Sequence, residues 1–214
     1  MKFSAIIFDM DGVLVDNNDF HYRSFEVFCK KYKLTLTPEI YNTFITGRTN
    51  EMILKYFFGE NITPSEVEQL TYEKEALYRE LYKPYIKPAP GLANFLETSF
   101  EKGIKFAVAS NGPIENIDFV LDETNIRSYF SVIVNASMVK QGKPAPDIYL
   151  KAAEMLGKDT KDCVVFEDSP TGIRAALAAH IKVIGLTTTH APHELIGTEF
   201  VVKDFSDDRL NEIV

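Results

Sequence analysis

The chain is poor in cysteine. Cys29 and Cys163 are the two in 214 residues, far apart and without a neighbouring pattern of metal ligands. That excludes a disulfide-stapled scaffold and a cysteine-rich zinc module. Both thiols are expected in a core, in a reducing compartment, which makes a cytoplasmic location the expectation. Long hydrophobic runs are also missing: no stretch approaches the roughly 18 apolar residues of a membrane span. Met1-Lys2-Phe3 leads straight into the first apolar segment, so no signal peptide is expected. Positive charge is not in excess either. A net charge of −8 argues against a general nucleic-acid binder and against docking on an anionic membrane. It leaves an anionic small molecule open, because local charge decides there. Internal repeats and low-complexity segments are absent.

What is present is an ordinary apolar fraction, enough to bury a sizeable core. The stretch Ala5-Ile6-Ile7-Phe8-Asp9-Met10-Asp11-Gly12-Val13 organises the reading. A short apolar run rich in β-branched and aromatic residues reads as a buried strand of a parallel sheet. It ends in two carboxylates two residues apart, which project to the same side while the chain stays extended. Close carboxylates repel unless a cation or a shared proton offsets the repulsion. Gly12 allows a sharp exit. An isolated Asp-x-Asp-Gly is equally an acidic turn after a strand, so the rest of the chain decides.

From Asp16 to about residue 85 every pattern is helical. Phe20, Phe25, Phe28 and Cys29 form a stripe over 19–32. Pro38 opens a second helix. Thr49 caps a helix after the loop 47–51. Thr63-Pro64-Ser65-Glu66 starts another helix that stops near Pro84. Strands and helices alternate afterwards. Strands are expected at 104–109, 132–134, 163–166 and 181–186, with helices at about 92–102, 113–123, 146–156 and 170–179. Ser169 is the N-cap of the last of these, and Asp207-Asp208-Arg209 begins a terminal helix. The fold class is therefore α/β, a Rossmann-like, doubly wound parallel sheet. Its core comprises residues 1–15 and 86–214, and an inserted helical bundle comprises 16–85.

Parallel strands put their C-terminal ends on one edge, so residues distant in sequence converge there. Asp9 and Asp11 follow the first strand, Ser110 and Asn111 the second, and Lys143 lies in the Gly142-Lys143-Pro144 loop after the third. Glu167 and Asp168 end the fourth. The set supplies carboxylates for a dication, and a hydroxyl and an ammonium for an anion. Helix N-termini add a preference for negative charge. Oxygen-only ligands suit Mg²⁺.

Asp9-Met10-Asp11-Gly12-Val13, the Ser110 strand end, Gly142-Lys143-Pro144 and Glu167-Asp168 resemble the four motifs of the haloacid dehalogenase superfamily. The segment 16–85 is similar to the bundle cap of its β-phosphoglucomutase-like branch. The resemblance implies Mg²⁺ dependence and an aspartyl-phosphate intermediate. Asp9 is then the nucleophile, and Asp11 the general acid and later the general base. Ser110 would hydrogen-bond the transferring phosphoryl group, and Lys143 would neutralise charge on it and on Asp9. Asp9 and Asp168 would bind the metal by side chain and Asp11 by its carbonyl, with Glu167 belonging to or supporting the site. Asn111 would hold the phosphate or orient the loop. Dehalogenases of this family lack an aspartate at the Asp11 position, so its presence favours phosphoryl transfer.

In the bundle, His21 matches a cap histidine of the branch, Gly47 its specificity-loop glycine and Lys74 a cap lysine. Each has a plain structural alternative: a helix histidine, a connecting glycine, a solvated lysine. The branch's mutases carry an arginine three residues after that glycine. Here Asn50 stands there, and the arginine is Arg48. A mutase must grip a second phosphate, which guanidinium does well, so the displacement favours a phosphatase. The expectation is a monomeric Mg²⁺-dependent phosphatase of a small phosphorylated metabolite, a sugar phosphate among the candidates. β-Phosphoglucomutase is the alternative, and a non-catalytic binder of a phosphometabolite is the third reading. His190 and His193 have the spacing of a metal pair but no third ligand nearby, so a structural or solvent role is expected.

Overall fold

All four residues of β1, Ala5–Phe8, are buried, which only a strand covered on both faces tolerates. The computed structural model describes residues 2–46 and 48–213. β1 lies in the middle of a sheet with β2 (Lys105–Ser110), β3 (Phe130–Asn135), β4 (Cys163–Glu167), β5 (Lys182–Leu186) and β6 (Phe200–Val202). The order is β3-β2-β1-β4-β5-β6, and every pairing is parallel. The register sets Phe8 beside Val108 on one side and Phe166 on the other. Strand order runs outward in both directions from β1, so the topological switch point falls at the C-terminal ends of β1 and β4.

The sixth strand departs from the five expected. Three residues at a sheet edge are too short to show a period. β6 is fixed instead by neighbours, with Thr187 N–H donating to Val202 O at 3.0 Å and Lys182 pairing with Glu199.

The chain divides into two compact units, Met1–Asp16 with Ile86–Val214, and Asn17–Tyr85. The second unit is helical: α1 (Asn18–Tyr32), α2 (Pro38–Ile40), α3 (Asn50–Phe58) and α4 (Pro64–Tyr82). Thr37 caps α2, which runs into a π-helical turn over Tyr41–Ile45. Thr63 and Glu66 form a capping box at α4, each side chain taking the other's backbone N–H. Phe28, Cys29 and Leu54 build one small core in this unit, and Phe25, Ile45 and Ile53 another.

In the first unit α5 (Leu92–Glu101), α6 (Ile114–Glu123), α7 (Asp147–Leu156) and α8 (Pro170–Ala178) accompany the sheet. The pleat separates two packing faces. Ala5 and Ile7 belong to a core with Ile148, Ala152 and Leu156 of α7 and Ile173 and Ala176 of α8. Phe8 points the other way, its ring 5.3–6.5 Å from those of Phe95, Phe106, Phe130, Phe166 and Phe205. Truncating such a buried ring costs about 3–5 kcal/mol. Cys29 and Cys163 are both free and buried. Among the described residues, no helix is long and apolar enough to cross a membrane. The terminal segment forms a short 3₁₀ helix, Asp208–Glu212, capped by Asp207.

Candidate active site

Asp9 continues the β1 ladder by one step, its N–H donating to Phe166 O at 3.0 Å. This brings Asp9 level with the end of β4. Carboxylate oxygens of Asp9, Glu167 and Asp168 lie within 4.8 Å of one another. The chain then turns sharply. Gly12 has φ 73°, and a Cβ there would stand 2.0 Å from Asp168 Oδ2. Glycine is therefore required twice, for the dihedral and for the close approach. Asp11 is half-buried just before the turn, in a lone bridge with Val15.

Lys143 comes from the loop between β3 and α7, beside a cis Lys143–Pro144 bond. Its Nζ donates to Asp9 Oδ1 at 2.6 Å and to Glu167 Oε1 at 2.8 Å. Asn111 holds the loop from behind. Its Oδ1 accepts from Lys143 N at 3.0 Å and its Nδ2 donates to Lys143 O at 3.4 Å. Gly142 makes room, since a Cβ there would meet Asn111 Oδ1 at 2.7 Å. Ser110 is buried at the end of β2. Its Oγ accepts from Gly112 N–H at 3.0 Å, which leaves the hydroxyl proton to donate elsewhere.

Glu167 is the most heavily engaged group. Oε1 accepts from Lys143 Nζ and from Tyr149 OH, each at 2.8 Å. Oε2 accepts from Asp168 N, Ser169 N and Ser169 Oγ at 3.0–3.1 Å. A Cβ at Gly172 would fall 1.5 Å from Oε1, so the first turn of α8 must carry glycine. Asp168 is held from the loop after β5. Thr189 Oγ1 donates to Asp168 Oδ2, His190 Nδ1 lies 3.0 Å from Asp168 O, and Thr188 Oγ1 donates to Gly12 O at 2.5 Å.

Burial pushes the Asp9 carboxyl up to about 7; Lys143 opposes this, and the charges of Glu167 and Asp11 add to it. Burial, then Glu167 and Asp9, hold Asp168 well above the usual carboxylate range. Burial alone would lower Lys143, but Asp9 and Glu167 outweigh it and keep the ammonium charged. Three carboxylates thus face one ammonium; with all three ionised the cluster carries two negative charges in excess, which a dication would balance and protons otherwise relieve. An all-oxygen donor set with this deficit fits a hard divalent cation. Among the described residues this is the one group of three or more His, Cys, Asp or Glu side chains arranged to hold a metal, and neither His190 nor His193 belongs to it.

The structure therefore brings together Asp9, Ser110, Asn111, Lys143, Glu167 and Asp168, with Asp11 at the same strand end. The remaining expected residues lie in the helical unit. His21 stacks flat on Tyr78, with ring centroids 4.0 Å apart, beside Asn17, whose Nδ2 donates to Tyr78 OH at 2.6 Å. Lys74 is not the solvated lysine that its amphipathic helix allowed. It is buried, paired with Glu75 at 2.9 Å, its ammonium 4.6 Å from the centre of the Phe25 ring. Asn50 Nδ2 donates to Glu75 Oε1 at 3.1 Å. Arg48 is exposed, and Gly47 lies outside the described residues. Tyr149, Gly172 and Thr189 went unnoticed in the sequence. The Thr187-Thr188-Thr189 run follows a fifth parallel strand, so the strand-end rule that found the others would have reached it. Tyr149 carried no such signal, being one more aromatic on an apolar helix face.

A doubly wound parallel sheet with an acidic, cation-compatible cluster at its switch point defines the class. The haloacid dehalogenase-like hydrolase family profile matches residues 6–186, and the chain belongs to that family. It is 31% identical over 183 residues to a phosphorylated carbohydrates phosphatase of Thermotoga maritima, covering 84% of this chain and 83% of that one. It is 28% identical over 210 residues to the β-phosphoglucomutase of Bacillus subtilis, covering 95% and 90%. The fold is similar to that of CbbY from Rhodobacter sphaeroides, solved in complex with phosphate, with TM-score 0.83, 26% identity and 96% coverage of both chains. Some curated relatives are much longer: the chain spans 21% of one Arabidopsis thaliana protein and 54% of another.

Proposed function

We propose that the protein is a Mg²⁺-dependent phosphatase of a small phosphorylated metabolite, a sugar phosphate being the first class to test. The observation that carries this is Lys143 set between Asp9 and Glu167 beside Asp168. Asp9 attacks phosphorus in line, forming the Oδ–P bond as the bond to the leaving oxygen breaks. Asp11 gives its proton to that oxygen. It then takes a proton from the water that attacks phosphorus, releasing phosphate and restoring Asp9. Ser110 donates its hydroxyl proton to a phosphoryl oxygen. Lys143 offsets charge on Asp9 and on the phosphoryl group. Asn111 orients the Lys143 loop through its two backbone bonds. Asp9 and Asp168 by side chain and Asp11 by carbonyl would hold Mg²⁺, which supplies charge neutralisation between carboxylate and phosphate. Glu167, whose oxygens accept from five donors, stands behind them as support.

The mutase is the second reading, favoured by the similarity to the Bacillus subtilis enzyme. Against it, Asn50 occupies the expected arginine position and is engaged with Glu75. We further propose that the protein acts as a monomer in the cytoplasm; its two free, buried thiols suit a reducing compartment. The test is a Mg²⁺-dependent assay with an aryl phosphate, followed by a metabolite panel including β-glucose 1-phosphate. Net phosphate release supports the phosphatase. Glucose 6-phosphate without phosphate release selects the mutase. No turnover of any phosphoester rejects both.

A further inference from the structure

We propose that Tyr149 is a positioning residue for Lys143, its hydroxyl and ring together aiming the ammonium at Asp9. The inference rests on the phosphoryl-transfer reading above. Lys143 Nζ stands between two carboxylates, at 2.6 Å from Asp9 and 2.8 Å from Glu167. Glu167 is fully buried and Asp9 is partly exposed, so Glu167 lies in the lower dielectric and attracts the ammonium more strongly at equal distance. The competing pull is lessened at one atom. Tyr149 OH donates to the same Glu167 Oε1 that receives Lys143, also at 2.8 Å. That oxygen's charge is shared between two donors, while Asp9 Oδ1 keeps its short contact with Nζ.

The ring acts separately. Its centre lies 4.8 Å from Nζ, so the aromatic face closes one side of the ammonium with a favourable cation–π contact. Neither contact is loose. Tyr149 is the third residue of α7, its N–H bonded to Pro146 O at 3.1 Å, and its neighbours Ile148 and Ala152 are buried in the sheet core. A rigid element holding a side chain that holds a reacting group is how supporting residues act at a distance. A purely structural tyrosine would also need a partner for its buried hydroxyl, so the bond to Glu167 alone does not distinguish the two roles; the kinetics of variants do.

Tyr149→Phe keeps the ring and removes the shared donor, and Tyr149→Leu removes both. Rates are measured with Mg²⁺ and p-nitrophenyl phosphate, well below the melting temperature of every variant, so stability does not enter. Lys143 is proposed to act on charge that develops during transfer, so a misaimed ammonium should lower kcat and spare KM. The expected result is a kcat about ten-fold lower for Tyr149→Phe and about a hundred-fold lower for Tyr149→Leu, with KM within about two-fold of wild type in both. A Tyr149→Phe kcat within two-fold of wild type, or a loss carried by KM, overturns the inference. A wild-type protein that turns over no phosphoester overturns the phosphatase reading instead, so the two failures are distinct.

Discussion

Lys143 Nζ stands 2.6 Å from Asp9 Oδ1, joining two residues 134 apart in sequence across the switch point of the sheet. On the proposed mechanism this contact holds the nucleophile and its counter-charge together before any substrate arrives. Exchanging Lys143 for Met should lower kcat by about 10²–10³-fold, the scale of losing one preorganised charge partner. Steady-state kinetics check this. A kcat within ten-fold of wild type would remove Lys143 from the chemistry.

The proton on Asp9 should make stability depend on pH. Its carboxyl titrates at about 7 in the fold, against about 4 in an unfolded chain. The folded state therefore holds the proton more tightly. The stability this contributes is complete below about pH 4 and is lost as pH rises through about 7. Asp168 is raised too and acts in the same direction. In chelator, the wild-type melting temperature should fall between pH 5.5 and 8.5, and Asp9→Asn should fall less. Excess Mg²⁺ should stabilise wild type more at pH 8.5 than at pH 5.5, because the cation competes with the protons. Parallel pH curves for wild type and Asp9→Asn would contradict the account.

Gly172→Ala gives a test of sign. In an ordinary helix the change stabilises by about 0.8–1 kcal/mol. Here the added Cβ would meet Glu167 Oε1 at 1.5 Å. The carboxylate must move, breaking bonds to Lys143, Tyr149, Asp168 N and Ser169, the N-cap of α8. The variant should be less stable by about 2 kcal/mol or more, read from urea midpoints, and should lose activity. A more stable variant would mean that Glu167 is not held as described.

Most of the candidate site was legible because parallel strands deliver their C-terminal residues to one edge. That rule gathers Asp9, Ser110, Lys143, Glu167 and Asp168 at one edge from the sequence alone. It does not see what stands behind them. Tyr149 joins the site through helix packing, and Gly172 through space that must stay empty; neither leaves a periodic mark. β6 was missed because three residues carry no period. In the helical unit Lys74 sits on an amphipathic helix, and only the fold reveals that Glu75 and Phe25 enclose it.

On the proposed mechanism Asp9 itself accepts the phosphoryl group. Enzyme mixed with a turned-over phosphoester and quenched into hydroxylamine should yield a hydroxamate, because an acyl phosphate is open to that nucleophile and a free carboxylate is not. Peptide mapping by mass spectrometry should find it at Asp9 and nowhere in Asp9→Asn, which should also be inactive. An Asp9→Asn protein that retains wild-type phosphatase activity would contradict the account.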